Sequence, residues 1–367
     1  MSKGRQSEQI YRASQWQLMA WKLRRHKLAV AGGIILVVFY LAAVFCEFLS
    51  PYDPSQKDTQ RINAPPMRVH WVDANGRFRL RPFYYDYTVS RDPDTLEWLY
   101  KEDQAQPRDL RLFVNGDRYR MWSLFVGTIH LFGSSSGRVY LLGTDQLGRD
   151  MLSRDLYGSR ISLSIGLVGI AVSMVLGIII GGVSGLLGGV VDLVIQRIIE
   201  FLRSIPTLPL WMGLSAAIPL KWPPLRIYAI VVVVLSLVGW TDLGRVVRGK
   251  FMSLVKEDFV MAARLLNARS SWVISRHLVP AFASYLIVNL TLSIPGMILG
   301  ETALSFLGLG LQPPVISWGT LLQSAQNVRT IALYPWQAIP VLLVVVTVLA
   351  FNFLGDGLRD AADPYTV

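Results

Sequence analysis

The chain has 367 residues, of which 52% are hydrophobic and only 17% are charged, and its formal net charge is +11. Soluble domains carry about 25% charged residues, so this composition excludes an ordinary soluble globule. The basic residues border long apolar runs and form no single stripe, which argues against nucleic acid as a partner.

Residues 1–27 predict a basic tail that ends in an amphipathic helix. Apolar side chains recur there at spacings of three and four, at Trp16, Met19, Ala20 and Leu23. Lysine and arginine occupy neighbouring positions, a pattern typical of a helix lying in the membrane interface. The alternative is a basic anchor that only sets the topology.

Apolar runs of transmembrane length follow the tail. Residues 28–49 predict the first span, an uncleaved anchor, because the run is longer than the apolar core of a signal peptide. Five further spans are predicted at Ile161–Val191, Ser204–Leu220, Ile227–Thr241, Leu278–Gly300 and Thr330–Gly355. A span needs about 20 residues, so the proline-broken third run and the short fourth run are the weaker ones.

Charge predicts the orientation. The positive excess lies in the tail and between Arg245 and Arg276, two segments that a six-span chain places on one side of the membrane. Basic flanks stay in the cytoplasm, so both termini are predicted to be cytoplasmic and residues 50–160 external. Cys46 is the one cysteine, which excludes an intrachain disulfide.

The external segment at 50–160 predicts a small β-rich insertion and a linker. Alternating runs flank Asp73-Ala74-Asn75-Gly76 and Asn115-Gly116-Asp117, and Asn-Gly between such runs indicates a hairpin. The many aromatic residues of this segment predict the core of a small domain. They could instead stack on a sugar or contact a binding protein.

Two features inside the predicted spans indicate close helix packing. Gly177, Gly181, Gly185 and Gly189 form a ladder along the second span, which lets a neighbouring helix approach. Charged residues at helical spacing predict structural ion pairs, in Arg197, Glu200 and Arg203 and again in Asp242 with Arg245. Residues 161–367 are therefore predicted to hold spans 2 to 6.

A short helix is predicted near 256–268, in the cytoplasmic connection between spans 4 and 5. Phe259, Ala262, Ala263 and Leu266 share one face of it, and a groove in a partner protein could accept that face. A rigid helix between two spans would carry a partner's motion into the membrane. The sequence contains no H-E-x-x-H pattern and its four histidines are scattered, so no catalytic or metal site is predicted.

This segment resembles the EAA loop of ABC importer permeases. Ala262, Ala263 and Pro280 match that pattern, whereas Met261 and Asn267 replace its glutamate and glycine. Other stretches resemble the second, C-type permease of the oligopeptide/dipeptide branch: Leu142–Asp150, Leu202–Leu210, Gly300–Gly310, Ser317–Gly319 and Gly355–Asp360. The β-rich segment at 52–138 is larger than the external loop of ordinary members.

The resemblance implies an all-α polytopic membrane protein of the cell inner membrane, a six-helix bundle of the type I importer class with a β-rich external insertion. It implies a homologous second permease, two ATPase subunits and an external substrate-binding protein as partners, besides membrane lipid. No cofactor is expected on this chain, because ATP and Mg would bind the ATPase subunits. Residues implied to contact an ATPase are Asp258, Phe259, Met261, Ala262, Ala263, Arg264, Leu266, Asn267 and Pro280.

The resemblance predicts import of oligopeptides by alternating access, with no enzymatic activity on this chain. Oligosaccharides, opines or nickel remain open as the solute. A membrane channel or receptor is the alternative from another class, but the sequence shows no charge ring or repeated pore element. Glu301 is a candidate for the solute pathway, with a buried structural carboxylate as the other interpretation.

Overall fold

The computed structural model describes residues 15–74, 76–91, 93–94, 98–219 and 221–362. The predicted tail before Gln15, the hairpin residue Asn75 and the predicted end of the third span at Leu220 lie outside the described residues. The chain divides into two compact units. The first takes in the described parts of 1–37, 164–304 and 345–367, and the second takes in those of 38–163 and 305–344.

Most of the described chain is helical. The α-helices are α1 Gln15–Arg25, α2 Lys27–Val44, α3 Cys46–Leu49, α4 Met151–Leu187, α5 Gly189–Ser204, α6 Thr207–Ala216, α7 Pro224–Leu254, α8 Asp258–Leu265, α9 Ser270–Val273, α10 Val279–Ala281, α11 Ala283–Phe306, α12 Trp318–Ser324, α13 Val328–Leu333 and α14 Ile339–Ala362. A π-helical turn at Ile274–Leu278 joins α9 to α10, and a 3-10 turn at Pro335–Ala338 leads into α14.

Within the described residues, five helical segments are long and apolar enough to cross a membrane, namely α2, α4, α7, α11 and Pro335–Ala362. They confirm the first, second, fourth, fifth and sixth predicted spans in type and approximate place. Among the described residues, the third predicted span, the proline-broken run Ser204–Leu220, gives no helix long enough to cross a membrane. The chain turns extended at Ile205, because Pro206 lacks the N–H that would continue α5. The next helix, α6, covers only ten residues.

The helix of the second predicted span begins earlier than the sequence indicates. The helix α4 already begins at Met151, and the boundary at residue 160 between the external segment and the span stays a prediction. Arg154 and Arg160 kept this stretch out of the apolar run, but both have carboxylate partners: Arg154 lies 3.5 Å from Asp145, and Arg160 pairs with Glu47. Paired charges are compatible with a helix that extends past the apolar segment.

The first unit is built on close contact between α4 and α7. A Cβ added at Gly177 would meet the Leu243 side chain, and one added at Gly181 would meet the backbone of Gly244. Gly185 likewise lies against the backbone of Arg248 in α7. The predicted glycine packing is therefore confirmed at three of its four positions, whereas Gly189 has a positive φ and begins α5.

Ion pairs tie α5 to α7 in the same unit. Arg203 pairs with Asp242, so the predicted Asp242–Arg245 pair is wrong, whereas the Arg197–Glu200 pair is confirmed at 2.7 Å. Arg248 donates from Nε and Nη2 to the Asp192 carboxylate. These hydrogen bonds lower the pKa of Asp192 to about 2.

The second unit contains the β-rich insertion. Its strands are β1 His70–Val72, β2 Phe78–Arg91, β3 Trp98–Asp109, β4 Arg111–Met121 and β5 Phe125–Gly133. The first three form one antiparallel sheet in the order β1-β2-β3, and β4 pairs with β5 in a separate hairpin. The predicted aromatic core is confirmed, because Tyr84 and Tyr140 are fully buried in a cluster with Met67 and Val139.

One predicted hairpin is confirmed and the other is wrong. The first turn closes where Asp73 N donates to Arg77 O at 2.9 Å. Asn115-Gly116, by contrast, lies inside β4 beside an irregularity in the register, and the turn comes at Met121–Leu124. Trp122 and Ser123 adopt positive φ there, as the two central residues of a tight hairpin turn often do.

The signature stretches of the second unit have structural roles. Asp145 accepts the Arg149 guanidinium at 2.7 Å and two backbone N–H groups of its own loop. Ser317 caps α12 reciprocally with Thr320, and the Trp318 indole donates to Asp155 O at 3.2 Å. These stretches therefore fix loop conformation.

Candidate functional site

The predicted short helix exists as α8, between α7 and α9. Asp258 lies in its first turn, where the positive end of the helix dipole stabilises a carboxylate. The helix ends because Asn267 adopts a left-handed conformation with φ 58°. Ala268 N then donates to Ala263 O at 3.1 Å, which satisfies a carbonyl of the last turn.

One face of α8 is packed into the first unit. Val260 has no exposed surface, and Ala263 is also buried. Both belong to an apolar cluster with Leu243, Val247 and Phe251 of α7, Val273 of α9, Leu278 of the π-helical turn, Phe282 between α10 and α11, and Leu286 of α11. We call this set the anchor cluster. It joins α8 to two of the apolar helices.

The other face of α8 is apolar and exposed. Leu265 and Leu266 expose 88% and 85% of their surface, and Phe259, Met261 and Ala262 are exposed as well. The predicted contact face is therefore wrong at Ala263, which points into the anchor cluster. Leu265 belongs to the exposed face and was missed. The side chain of Arg264 lies outside the described part of the structure.

The segment after α8 supports that helix. His277 lies in the π-helical turn, with its ring centroid 5.9 Å from Phe259 and 4.9 Å from Trp272. Pro280 follows inside α10 and has no N–H to donate. The wider π turn thus comes directly before the proline, and α11 begins at Ala283.

A cavity of about 460 Å³ with a mixed polar and apolar lining lies among the helices of the first unit. Its polar lining comes from Ser173, Thr207, Trp211, Asp242, Asn289 and Ser293. Ser173 is 1% exposed, and within the described residues its Oγ has no hydrogen-bond partner, nor has the Trp211 indole N–H. Buried polar groups without hydrogen-bond partners favour a polar molecule as the occupant of the cavity.

The pathway candidate Glu301 lies elsewhere in α11. Its side chain is fully buried, and it is not among the residues that line the cavity. This burial fits the structural interpretation, and a role in the pathway stays a prediction. Asn289 and Ser293 were missed, although an Asn and a Ser at i, i+4 in an apolar span are a detectable signal.

Permease proteins of known transport systems match between 61% and 99% of this chain. The dipeptide transport system permease protein DppC of Bacillus subtilis is 30% identical over 99% of this chain and 90% of its own length. The oligopeptide transport system permease protein OppC of Escherichia coli K12 is 42% identical over 61% of this chain and 72% of its own. A solved structure of the MetNI methionine ABC transporter in an inward-facing conformation is 17% identical, covers 57% of this chain and 97% of that one, and has a TM-score of 0.44.

Two family models match the sequence. Residues 14–66 match the N-terminal transmembrane domain of oligopeptide transport permease C. Residues 132–366, more than half of the chain, match the binding-protein-dependent transport system inner membrane component. Strands β1 to β4 lie between the two matched ranges. The chain therefore belongs to the family of binding-protein-dependent transport system inner membrane components.

Proposed function

We propose that this chain is the C-type permease subunit of an ATP-driven importer and that it forms half of a translocation pathway for oligopeptides. The observation that carries the proposal is α8, whose inner face is fixed in the anchor cluster while its outer face presents Leu265 and Leu266 to a partner. The names of the relatives, which are permeases of peptide transport systems, support the same function.

The partners follow from this role. A homologous second permease would complete the pathway, two ATPase subunits would bind ATP and Mg, and an external binding protein would deliver the solute. The outer face of α8 would fit an apolar groove on one ATPase subunit, as an amphipathic helix fits a groove in other complexes. Closure of the ATPases would then move α7 and α11 together, because the anchor cluster joins both to α8.

The orientation is part of the proposal. The chain would lie in the cell inner membrane with both termini and α8 in the cytoplasm, which agrees with the basic residues near Arg245–Arg276. Both termini on one side require a sixth crossing. At about 1.5 Å per residue, the ten residues of α6 reach only half of a bilayer core, so the last turns of α5 would complete that crossing as a broken helix.

The cavity suits a peptide. A peptide carries backbone amides and a terminal ammonium, and the lining offers an Asp242 carboxylate, an Asn289 amide and the Ser173 hydroxyl. The carboxylate would pair with the ammonium, and the amide and hydroxyl would bind the backbone. Asp242 already pairs with Arg203, so the solute would share or displace that ion pair.

The decisive experiment replaces Leu266 with Asp and purifies the subunit from cells that express the whole transporter. A charge on the exposed face should remove the ATPase subunits from the purified complex and abolish peptide uptake, because an unpaired charge would have to be buried in the groove. The matched control is Leu80→Asp, at a leucine of β2 that is equally exposed. If the Leu266 variant kept its ATPase subunits and its uptake, the assignment of α8 would be wrong.

A further inference from the structure

The turn of the β4–β5 hairpin is fastened to the end of the first membrane span. The Trp122 indole donates to Val44 O, the carbonyl of the last residue of α2, at 2.8 Å. The Trp122 ring lies 5.8 Å from the Phe45 ring, and its backbone N–H donates to Glu47. These contacts hold the turn beside the point where α2 stops.

That point lies near the boundary of the hydrocarbon core. The 18 residues of α2 span about 27 Å at 1.5 Å per residue, close to the thickness of the core of a bilayer. Charged groups mark the same level, because the Arg160 guanidinium donates to Ala43 O and Val44 O and pairs with Glu47. Trp122 therefore lies where tryptophans collect in membrane proteins.

The hairpin tip, which we define as Met121–Val126, is apolar and exposed. Leu124 and Phe125 expose 76% and 62% of their surface, and Trp122 and Val126 are exposed too. The sequence contains no Asp, Glu, Lys or Arg from Met121 to Gly137. An exposed apolar cluster of this kind on a turn indicates a binding surface.

The tip continues the exposed apolar surface of the first span. In the same unit, Val38, Leu41 and Val44 of α2 expose much of their surface, as does Phe45 next to Trp122. Side chains of a membrane span with this exposure face lipid in the absence of another subunit. Continuity with that surface favours lipid over a protein groove as the occupant of the tip.

We propose that the hairpin tip inserts into the membrane interface of the leaflet that the C-terminal end of α2 reaches. Leu124 and Phe125 enter the region between headgroups and acyl chains, with Trp122 at their side. Arg118 and Arg120, both exposed on β4 just before the tip, lie within reach of lipid phosphates. The β-rich segment thus has a lipid contact of its own, which goes beyond the proposed transport function.

The test uses the assembled transporter in bilayers of defined composition. Leu124→Cys is made in a Cys46→Ser background, which removes the chain's one cysteine, and is labelled with a fluorophore. Quenching by nitroxide lipids should exceed quenching by aqueous iodide several-fold. It should place the label about 5–10 Å into the headgroup and acyl boundary.

Leu80→Cys with the same label is the control, because Leu80 is also highly exposed and lies in the three-stranded sheet. Its label should respond to iodide and not to lipid quenchers. The proposal is overturned if the Leu124 label responds only to iodide, which would mean a tip in water. It is also overturned if the label is protected from both quenchers, which would mean a protein partner, or if both labels respond equally to lipid, which would mean that the dye itself seeks the bilayer.

Discussion

Asn267 determines how the short helix α8 ends. Its φ of 58° is one that L-residues other than Asn and Gly rarely adopt, and it lets Ala268 N reach back to Ala263 O. The related family pattern carries glycine at this position, so the asparagine keeps the conformation and changes only the side chain. The direction in which the chain leaves α8 depends on this residue.

We expect Asn267→Ala to destabilise the end of α8 by about 1 kcal/mol, because Cβ crowds the backbone in the left-handed region and alanine lacks the local hydrogen bonds of asparagine. Asn267→Gly should keep or slightly improve stability. Thermal unfolding of the purified transporter and retention of the proposed ATPase subunits would be measured for both. Equal behaviour of the alanine and glycine variants would contradict a conformational role for this position.

Single residues of α8 show what the sequence could predict. The conformation of Asn267 was predictable, because asparagine is the residue that most often replaces glycine there. The contact face was predictable only in part. Helical spacing groups Ala263 with Phe259, but it cannot tell which of two apolar faces is buried, and Val260 and Ala263 turned out to face the anchor cluster. The exposure of Leu265 depends on that choice.

The helix pair α4 and α7 depends on backbone contact at glycine. At Gly181 an added Cβ would meet the carbonyl of Gly244, which is backbone and cannot rotate away as a side chain could. Gly185 lies against the backbone of Arg248 in the same way, whereas Gly177 lies against the Leu243 side chain. In a bilayer, where apolar burial drives helix association weakly, this close approach is a main source of stability.

We expect Gly181→Ala to lower the stability of the subunit by about 1–3 kcal/mol through overpacking against α7. Gly249→Ala is the matched control, since nothing lies within 4 Å of its added Cβ. Alanine is the better helix former, so the control should be neutral or stabilising by up to about 1 kcal/mol. Thermal unfolding in detergent would compare the two, and similar unfolding temperatures would contradict the packing argument.

Elements were predicted well where apolar length decided them and poorly where tertiary contacts did. The start of α4 at Met151 was hidden because Arg154 and Arg160 interrupt the apolar run, and their partners Asp145 and Glu47 lie outside the helix. Asn115-Gly116 indicated a turn but became a register irregularity inside β4. A Cβ at Gly116 would meet the His130 ring of β5, so close cross-strand packing explains the glycine.

At the scale of the whole molecule, the anchor cluster connects the exposed face of α8 to the membrane helices. Val260 and Ala263 share one buried cluster with residues of α7 and α11. The sequence predicted a stiff helix between two spans but could not reveal this shared core, because its members come from separate segments. Motion imposed on α8 would reach both helices through these contacts, since they hold its inner face.

Val260→Ala tests that mechanical role. Removal of two methyl groups from a fully buried site should cost about 1–3 kcal/mol and loosen α8 against the bundle. The proposed ATPase subunits should stay bound, because the outer face with Leu265 and Leu266 is unchanged. More ATP should therefore be hydrolysed for each solute imported, as measured by simultaneous hydrolysis and uptake assays in proteoliposomes.

Val231→Ala is the control, at an equally buried valine of α7 outside the anchor cluster. It should lose similar stability while keeping the ratio of ATP to solute. An equal ratio in the two variants would show that α8 transmits motion by some route other than the anchor cluster.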